Sequence, residues 1–278
     1  MTVILFNPLS NNGKNIGLAK KLANNYAKNG ETVKVLDILE IGEVHTFLNG
    51  FTKEDKIIIL GGDGTIHRIA NKIYGVEILP EVYIYKAGTG NDFIRSVPVN
   101  KKLALVKPYL KKLPSYTLNN EKNLFINGVG LGLDGMVCYK VNASKSLKNK
   151  SNYFKNAFKS FIEAKRFDAT ITVDGQEMLF KKVWFASIMN SKYFGGGMKI
   201  APTKKRGSND LELVVVRGLP KYLLILLFPL IYVGLHRFIF GAVKFIRGRE
   251  IIIETNDALY LQVDGEDHFP VSKVSAKI

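Results

Sequence analysis

Residues Ile57–Leu60 form a continuous apolar run that ends in Gly61-Gly62-Asp63-Gly64-Thr65, and a helical spacing (Ile66, Ile69, Ala70, Ile73) begins at once. Four apolar residues without polar alternation read as a strand buried on both faces. Such a strand sits in a parallel sheet with helices packed on each side. The glycine cluster at its end then falls where such a sheet binds ligands, beyond the carboxyl end of the strand.

The residues around it keep the same rhythm. Val3–Phe6, Thr32–Leu36 and Val82–Tyr85 read as strands. Lys14–Lys28, closed by Asn29-Gly30, reads as a helix, as do Ile41–Leu48 and Ile66–Tyr74. This βαβα order predicts an open parallel-sheet α/β domain. Near residue 115 the pattern changes. Segments 116–119, 124–129, 169–173, 183–189, 211–216, 250–255 and 259–263 read as strands, with turn signals at Asp174-Gly175 and Asn256-Asp257. They predict a mostly antiparallel β-sandwich, interrupted by helical insertions at Tyr153–Lys165 and around Tyr222–Leu235. The 278 residues suffice for two cores. The expected division is 1–120 and 121–278, with Val271–Ile278 free to return to the first domain. The triple glycine in Lys192–Pro202 reads as a mobile loop, lining a cleft between the domains or lying on the surface.

Three loops at strand ends carry candidate chemistry. In Gly61–Thr65 the glycines remove side chains, so a phosphate can reach backbone N–H groups, and Thr65 adds a hydroxyl. Asp63 would repel a phosphate unless Mg²⁺ lay between them. The chain has no GxxxxGK[ST], so this is not a Walker A loop. Lys86–Phe93 repeats the recipe with Gly88, Thr89, Gly90 and Asp92. The loop after the first strand offers Asn7, Ser10, Asn11, Asn12, Gly13 and Lys14. The competing reading of Gly61–Thr65 is a tight turn with an N-cap, and that of the loop after the first strand is a plain βα turn.

Charge and hydropathy point to a partner. The net charge is +16, and residues 135–250 hold 21 Lys/Arg against 7 Asp/Glu, so +14 sits there. Such a region attracts a polyanion, either nucleic acid or an anionic membrane face. The apolar stretch Tyr222–Leu235 spans 14 residues with Pro229 in its middle, short of the ~20 needed to cross a bilayer. It reads as a kinked core helix or a segment lying in a membrane interface. One cysteine, Cys138, and an N-terminus without a basic leader give the expectation of a cytosolic protein. Further on, Val263-Asp264-Gly265-Glu266-Asp267-His268 carries a hairpin signal at Asp264-Gly265, with Glu266 and His268 on one face of the following strand.

In order, FNPLSNNGK, GGDGT, GTGNDF, NGVGLGLDG (Asn127 to Gly135) and VDGE resemble the bacterial diacylglycerol kinase and lipid kinase family, which is related to sphingosine and ceramide kinases. The resemblance implies an ATP- and Mg²⁺-dependent kinase acting on a lipid hydroxyl, most commonly diacylglycerol to give phosphatidic acid. It implies ATP phosphates at Gly61, Gly62, Asp63, Gly64, Thr65, Ile66 and His67, with Ser10 to Lys14 and Thr89 alongside. It implies a catalytic Mg²⁺ network of Asp63, Asp92 and Asp134, and Glu266 as the general base. The basic second half and the apolar stretch then suit an enzyme peripheral to the inner face of the membrane rather than a nucleic-acid binder. The β-rich half offers a strand edge for a homodimer. The family's structural Mg²⁺ sits in an Asp-Gly-x-Leu run six residues after a proline. Here Ser208 falls where that aspartate should be, counted from Pro202, and Asp210 lies two residues out of register. The alternatives are another kinase that shares GGDG, such as NAD kinase, and a nucleotide- or membrane-binding homologue without turnover.

Overall fold

The computed structural model describes residues 1–87, 90–110, 112–144 and 150–278, with the side chains of Asn12 and of residues 150–154 outside that description. The chain divides into two units, Met1–Lys112 and Leu113–Ile278.

In the first unit, β1 (Thr2–Phe6), α1 (Asn15–Lys28), β2 (Val33–Asp37), α2 (Val44–Asn49), β3 (Lys56–Gly61), α3 (Asp63–Lys72), β4 (Glu81–Lys86), α4 (Asp92–Arg95), β5 (Leu103–Leu105) and α5 (Lys107–Leu110) follow one another. The sheet order is β2-β1-β3-β4-β5, parallel except for β5, which runs against β4. β1 and the last five residues of β3 are buried throughout, which is why neither alternates. Ile4, Phe6, Ile58 and Leu60 form one core cluster with Ala19 of α1. The order reverses between β1 and β3, so the loops after these strands flank the switch point where such sheets bind ligands. The helix expected over Ile41–Leu48 begins only at Val44, because Gly42 has φ of 69° and cannot lie in a right-handed helix.

The second unit contains β6 (Ser115–Leu118), β7 (Glu121–Leu124), β8 (Gly128–Gly132), α6 (Leu133–Ala143), α7 (Lys150–Glu163), β9 (Phe167–Val173), β10 (Gln176–Met189), β11 (Leu211–Arg217), α8 (Lys221–Leu227), α9 (Leu230–Val233), β12 (Val243–Gly248), β13 (Glu250–Val263) and β14 (Glu266–Lys277). β6 already pairs with β14, so this unit starts ahead of the expected boundary at 120/121. Its strands pair antiparallel in the order β12-β11-β10-β8-β13-β14-β6-β7, with β9 bridging β10 and β13. β10 and β13 are the corner strands. The first half of β10 pairs with β9 and its second half with β8, and β13 does the same. Each changes partner across an irregular step, near Phe180/Val183 in β10 and Glu254/Leu259 in β13. The sheet thereby wraps a core that includes Val129, Leu131, Ile171, Ala186, Ile253 and Leu261.

Several sequence expectations change here. The strand expected over 124–129 is broken between β7 and β8, because the N–H groups of Ile126, Asn127 and Gly128 go to the Asp264 carboxylate rather than to a neighbouring strand. The strands expected at 250–255 and 259–263 are one strand, β13. Asn256-Asp257 marks its bulge, where Thr255 Oγ1 accepts the Asp257 N–H, and not a hairpin. Val271–Ile278 does not leave the second unit: Val271 to Lys277 belong to β14 and pair with β13 and β6. The glycine-rich segment Lys192–Pro202 is ordered into the core rather than lying free. Phe194 and Met198 bond each other's backbones, and Ile200 and Ala201 are fully buried.

Tyr222–Leu235 is broken at Pro229 and at Gly234, whose φ is 78°. Leu224 and Ile231 join a second core cluster with Leu133, Phe161 and Trp184, whereas Tyr222, Leu226 and Val233 are exposed. Among the described residues no helix is long and apolar enough to cross a membrane.

Candidate functional site

The loop after β3 opens directly into α3. The helix has Gly62 as N-cap, in extended backbone and with no side-chain cap. The first N–H groups of a helix lack partners within it and carry the positive end of its dipole. The glycines around this point have different jobs. A Cβ on Gly61 would lie 2.5 Å from Thr65 Oγ1, so Gly61 is required by packing. A Cβ on Gly62 or Gly64 would meet nothing within 4 Å, and neither residue has a positive φ. The chain's own packing does not require glycine at these two positions. They leave the helix end open to an anion from outside.

Asp63 ties two loops together. Its Oδ1 accepts the N–H of Phe93 at 2.7 Å and its Oδ2 that of Asp92 at 3.1 Å, so its carboxylate caps α4. Asp92 itself is buried. Thr65 Oγ1 accepts from Asn7 Nδ2 at 2.9 Å, joining the loops after β1 and β3. The first loop is organised by a residue outside the expected set. Asn15 is fully buried, with Nδ2 within 2.5 Å of Ser10 Oγ and within 3.2 Å of the carbonyls of Asn7 and Leu60. Its Oδ1 accepts from Asn11 Nδ2. Gly13 has φ of 78°, and Lys14 is exposed at the entrance to α1. Ile66 and His67 continue helix α3. Both are buried along α3, the Ile66 N–H bonds Gly62 O, and His67 O accepts from Asn71. Thr89 and the side chain of Asn12 lie outside the described residues.

In the second unit, Asp134 opens α6 and is buried. Its Oδ2 accepts from Ser187 Oγ at 2.6 Å and its Oδ1 from the Gly135 N–H at 3.0 Å. Burial pushes its pKa up to about 6, against the opposing pull of these bonds. It lines a small apolar cavity of about 70 Å³ with Val137, Phe161, Phe185, Leu224 and Ile231. The glycines of this motif serve packing. A Cβ on Gly130 would collide with the Asp134 carboxylate, and one on Gly135 with the backbone of Tyr260.

Glu266 begins β14 at a two-residue hairpin. Asp264 and Gly265 both have positive φ, 51° and 94°, as a twist-matched tight turn requires. The turn is clamped on two sides. The Asp264 carboxylate accepts N–H bonds from Ile126, Asn127 and Gly128 at 2.6, 2.7 and 3.1 Å. Asn142 of α6 donates to Gly265 O at 2.9 Å and to Asp267 Oδ1 at 2.7 Å, the neighbours on either side of Glu266. Tyr116 lies close by. Burial first, then the charges of Glu266, Asp264 and Glu121, push its phenol up to about 12, so it stays neutral.

The Ser208–Asp210 segment does not fit a metal. The buried ammonium of Lys204 occupies the centre of its oxygens, 2.5 Å from Ser208 Oγ, 2.5 Å from Asp210 O, 3.0 Å from Asp210 Oδ1 and 3.3 Å from Lys205 O. Among the described residues no group of three or more His, Cys, Asp and Glu side chains is spaced to hold a metal ion. Sequence reasoning passed over Asn15, Asn142 and Lys204 and read Asp264 only as a turn former. The signals were thin: an asparagine at the start of a helical pattern, an asparagine in a helix's final turn, and one lysine in a basic run.

Residues 1–113 match the family model for the diacylglycerol kinase catalytic domain, and residues 127–276 match that for the YegS C-terminal NAD kinase beta sandwich-like domain. The chain is 29% identical over 237 residues to "Putative lipid kinase YtlR" of Bacillus subtilis (strain 168), covering 77% of this chain and 74% of that protein. It is 23% identical over 248 residues to the diacylglycerol kinase of Mycobacterium tuberculosis (strain H37Rv), covering 84% and 78%. A crystal structure of a diacylglycerol kinase from Bacillus anthracis shares the fold, with a TM-score of 0.64 at 20% identity over 99% of this chain and 93% of that one. Two consecutive family matches, spanning both units and all five motifs, place this chain in the bacterial diacylglycerol kinase and lipid kinase family, phosphotransferases with an alcohol group as acceptor.

Proposed function

We propose that this chain transfers the γ-phosphate of ATP to a lipid hydroxyl, with diacylglycerol as acceptor and phosphatidic acid as product. The observation that carries the reading is the uncapped N-terminus of α3, left open by Gly62 and Gly64. Phosphoryl transfer asks a protein chiefly for positioning and charge neutralisation. The N–H groups of Gly62 and Gly64 cradle the phosphates with the Thr65 hydroxyl beside them, and Ser10, Asn11, Gly13 and Lys14 extend the cradle from the loop after β1. Asp63, anchored by two N–H bonds, is the carboxylate suited to Mg²⁺, with Asp92 and Asp134 in supporting roles. When bound, Mg²⁺ would neutralise charge on the phosphates. Glu266 accepts the proton of the attacking hydroxyl, and its clamped turn restricts where that carboxylate can be.

The lipid and membrane parts of the reading rest on the second unit. Phe158, Tyr222, Leu226, Val233, Phe238 and Phe240 are all exposed, with Lys159, Lys221 and Arg237 among them in the sequence and Lys244 just after. Apolar side chains interleaved with cations suit docking on an anionic bilayer, peripheral at the inner face of the membrane. The edge strands β7 and β12 are where a second copy would add, which sedimentation would register as a dimer.

Labelled ATP offered with diacylglycerol, other lipid alcohols and NAD in parallel, resolved by thin-layer chromatography, tests the reaction. Phosphatidic acid formation supports the proposal, and phosphorylation of NAD alone overturns it. Flotation with liposomes tests the surface: binding should rise with anionic lipid and fall with salt.

A further inference from the structure

The segment after Pro202 holds a buried lysine with an unusual setting. The Lys204 side chain is fully inaccessible, which is rare for a lysine unless it is paired. Its ammonium has three protons and faces four oxygens within 3.3 Å: two carbonyls, a hydroxyl and a carboxylate. All four come from Lys205, Ser208 and Asp210, so the ammonium gathers its own loop. Oxygen-only donor sets of this kind are what hard divalent cations take. Here the seat is filled from within the chain.

The charges around it balance. Asp210 and the buried Glu212 face Lys204 and Arg247, with Arg247 Nε 3.2 Å from Glu212 Oε1. A divalent ion added to this set would meet the lysine's own charge at its only centre. Replacing the usual aspartate with Ser208 fits the same logic, since a hydroxyl can accept from an ammonium without adding a further negative charge.

We propose that the Lys204 ammonium is the structural cation of this loop, so that residues 203–212 hold their conformation without a divalent metal. The consequence reaches the hairpin that carries Glu266. Arg206, in the same loop, donates to Ile126 O and Asn127 Oδ1. Ile126 and Asn127 in turn donate their N–H groups to Asp264. The internal cation therefore sits at one end of a brace whose other end is the Glu266 turn.

The test needs no turnover, so its failure is separable from failure of the kinase reading. Crystals of the full chain soaked in Mn²⁺ should show no anomalous peak at coordinating distance from Asp210 Oδ1. The melting temperature of chelator-treated protein should not change when Mg²⁺ is added without nucleotide. A Mn²⁺ peak beside Asp210 in the unaltered chain overturns the proposal. Lys204→Met should lower the melting temperature by about 5 °C, because it removes the donor that holds the Lys205 and Asp210 carbonyls, the Ser208 hydroxyl and the half-buried Asp210 carboxylate together. In that variant Mn²⁺ should enter the vacated seat and restore part of the loss. A variant that fails to fold supports the cross-link, and the wild-type map still decides the metal. A Lys204→Met chain as stable as the parent overturns it.

Discussion

The Asp63 carboxylate accepts the N–H of Phe93 at 2.7 Å, so the acidic residue of the GGDGT loop is also the cap of the next loop's helix. One side chain thus has a structural duty and a proposed catalytic one, and substitution can separate them. Asp63→Ala should cost about 1–3 kcal/mol, because it leaves two N–H groups at the start of α4 without their charged acceptor. It should also abolish phosphorylation. Asp63→Asn keeps one good acceptor and should melt close to the parent, yet still lose turnover. Normal turnover by the Asn variant would sink the catalytic role and leave Asp63 as a brace.

The three glycines of the loop should respond differently to alanine. Gly61→Ala forces its Cβ onto Thr65 and should destabilise by about 1–3 kcal/mol. Gly64→Ala lies within α3 with open space around it, and should leave stability unchanged or raise it by about 0.5–1 kcal/mol. If the open helix end is the phosphate cradle, Gly62→Ala and Gly64→Ala should each weaken ATP binding at least ~10-fold, some 1.4 kcal/mol, by titration calorimetry. Unchanged ATP affinity in both would remove the central support for the proposed nucleotide site.

These glycines also show where sequence reading reaches its limit. β1 and β3 were legible because burial on both faces leaves a plain apolar run. In the loop after β3, no internal packing demands Gly62 or Gly64. NGVGLGLDG looks much the same in sequence, yet Gly130 and Gly135 are there to let Asp134 and β13 approach. Only the space around a glycine separates these cases. The broken strand at 124–129 and the bulged strand β13 were illegible for a related reason. Both are set by partners far along the chain, Asp264 for the first and the switch from β9 to β8 for the second.

Asp134 should make stability depend on pH. Its folded pKa, about 6, lies above the ordinary 3.8, so the folded state holds its proton more tightly than the unfolded chain does. Stability from this group is then fully present below pH 4 and lost as pH rises through 6. The gap corresponds to about 3 kcal/mol at most. Denaturant unfolding of Asp134→Asn from pH 4 to pH 8 should lack this component. The parent should lose stability relative to the variant as pH rises, and a constant difference would show that the carboxylate does not titrate in that window.

Glu266 and Asp264 should separate chemistry from positioning. Glu266→Gln leaves the hairpin and its two clamps in place, so its melting temperature should match the parent while phosphorylation is lost. Asp264→Ala removes one acceptor from three backbone N–H groups and should destabilise by about 3 kcal/mol or more. It should lower kcat more than it raises KM for ATP, because the residue positions the proposed base and belongs to none of the proposed phosphate loops. Asp264→Asn retains one acceptor oxygen and should recover part of both losses. Equal loss of kcat with no recovery by the Asn variant would show that the carboxylate's charge, and not its hold on residues 126–128, matters at this turn.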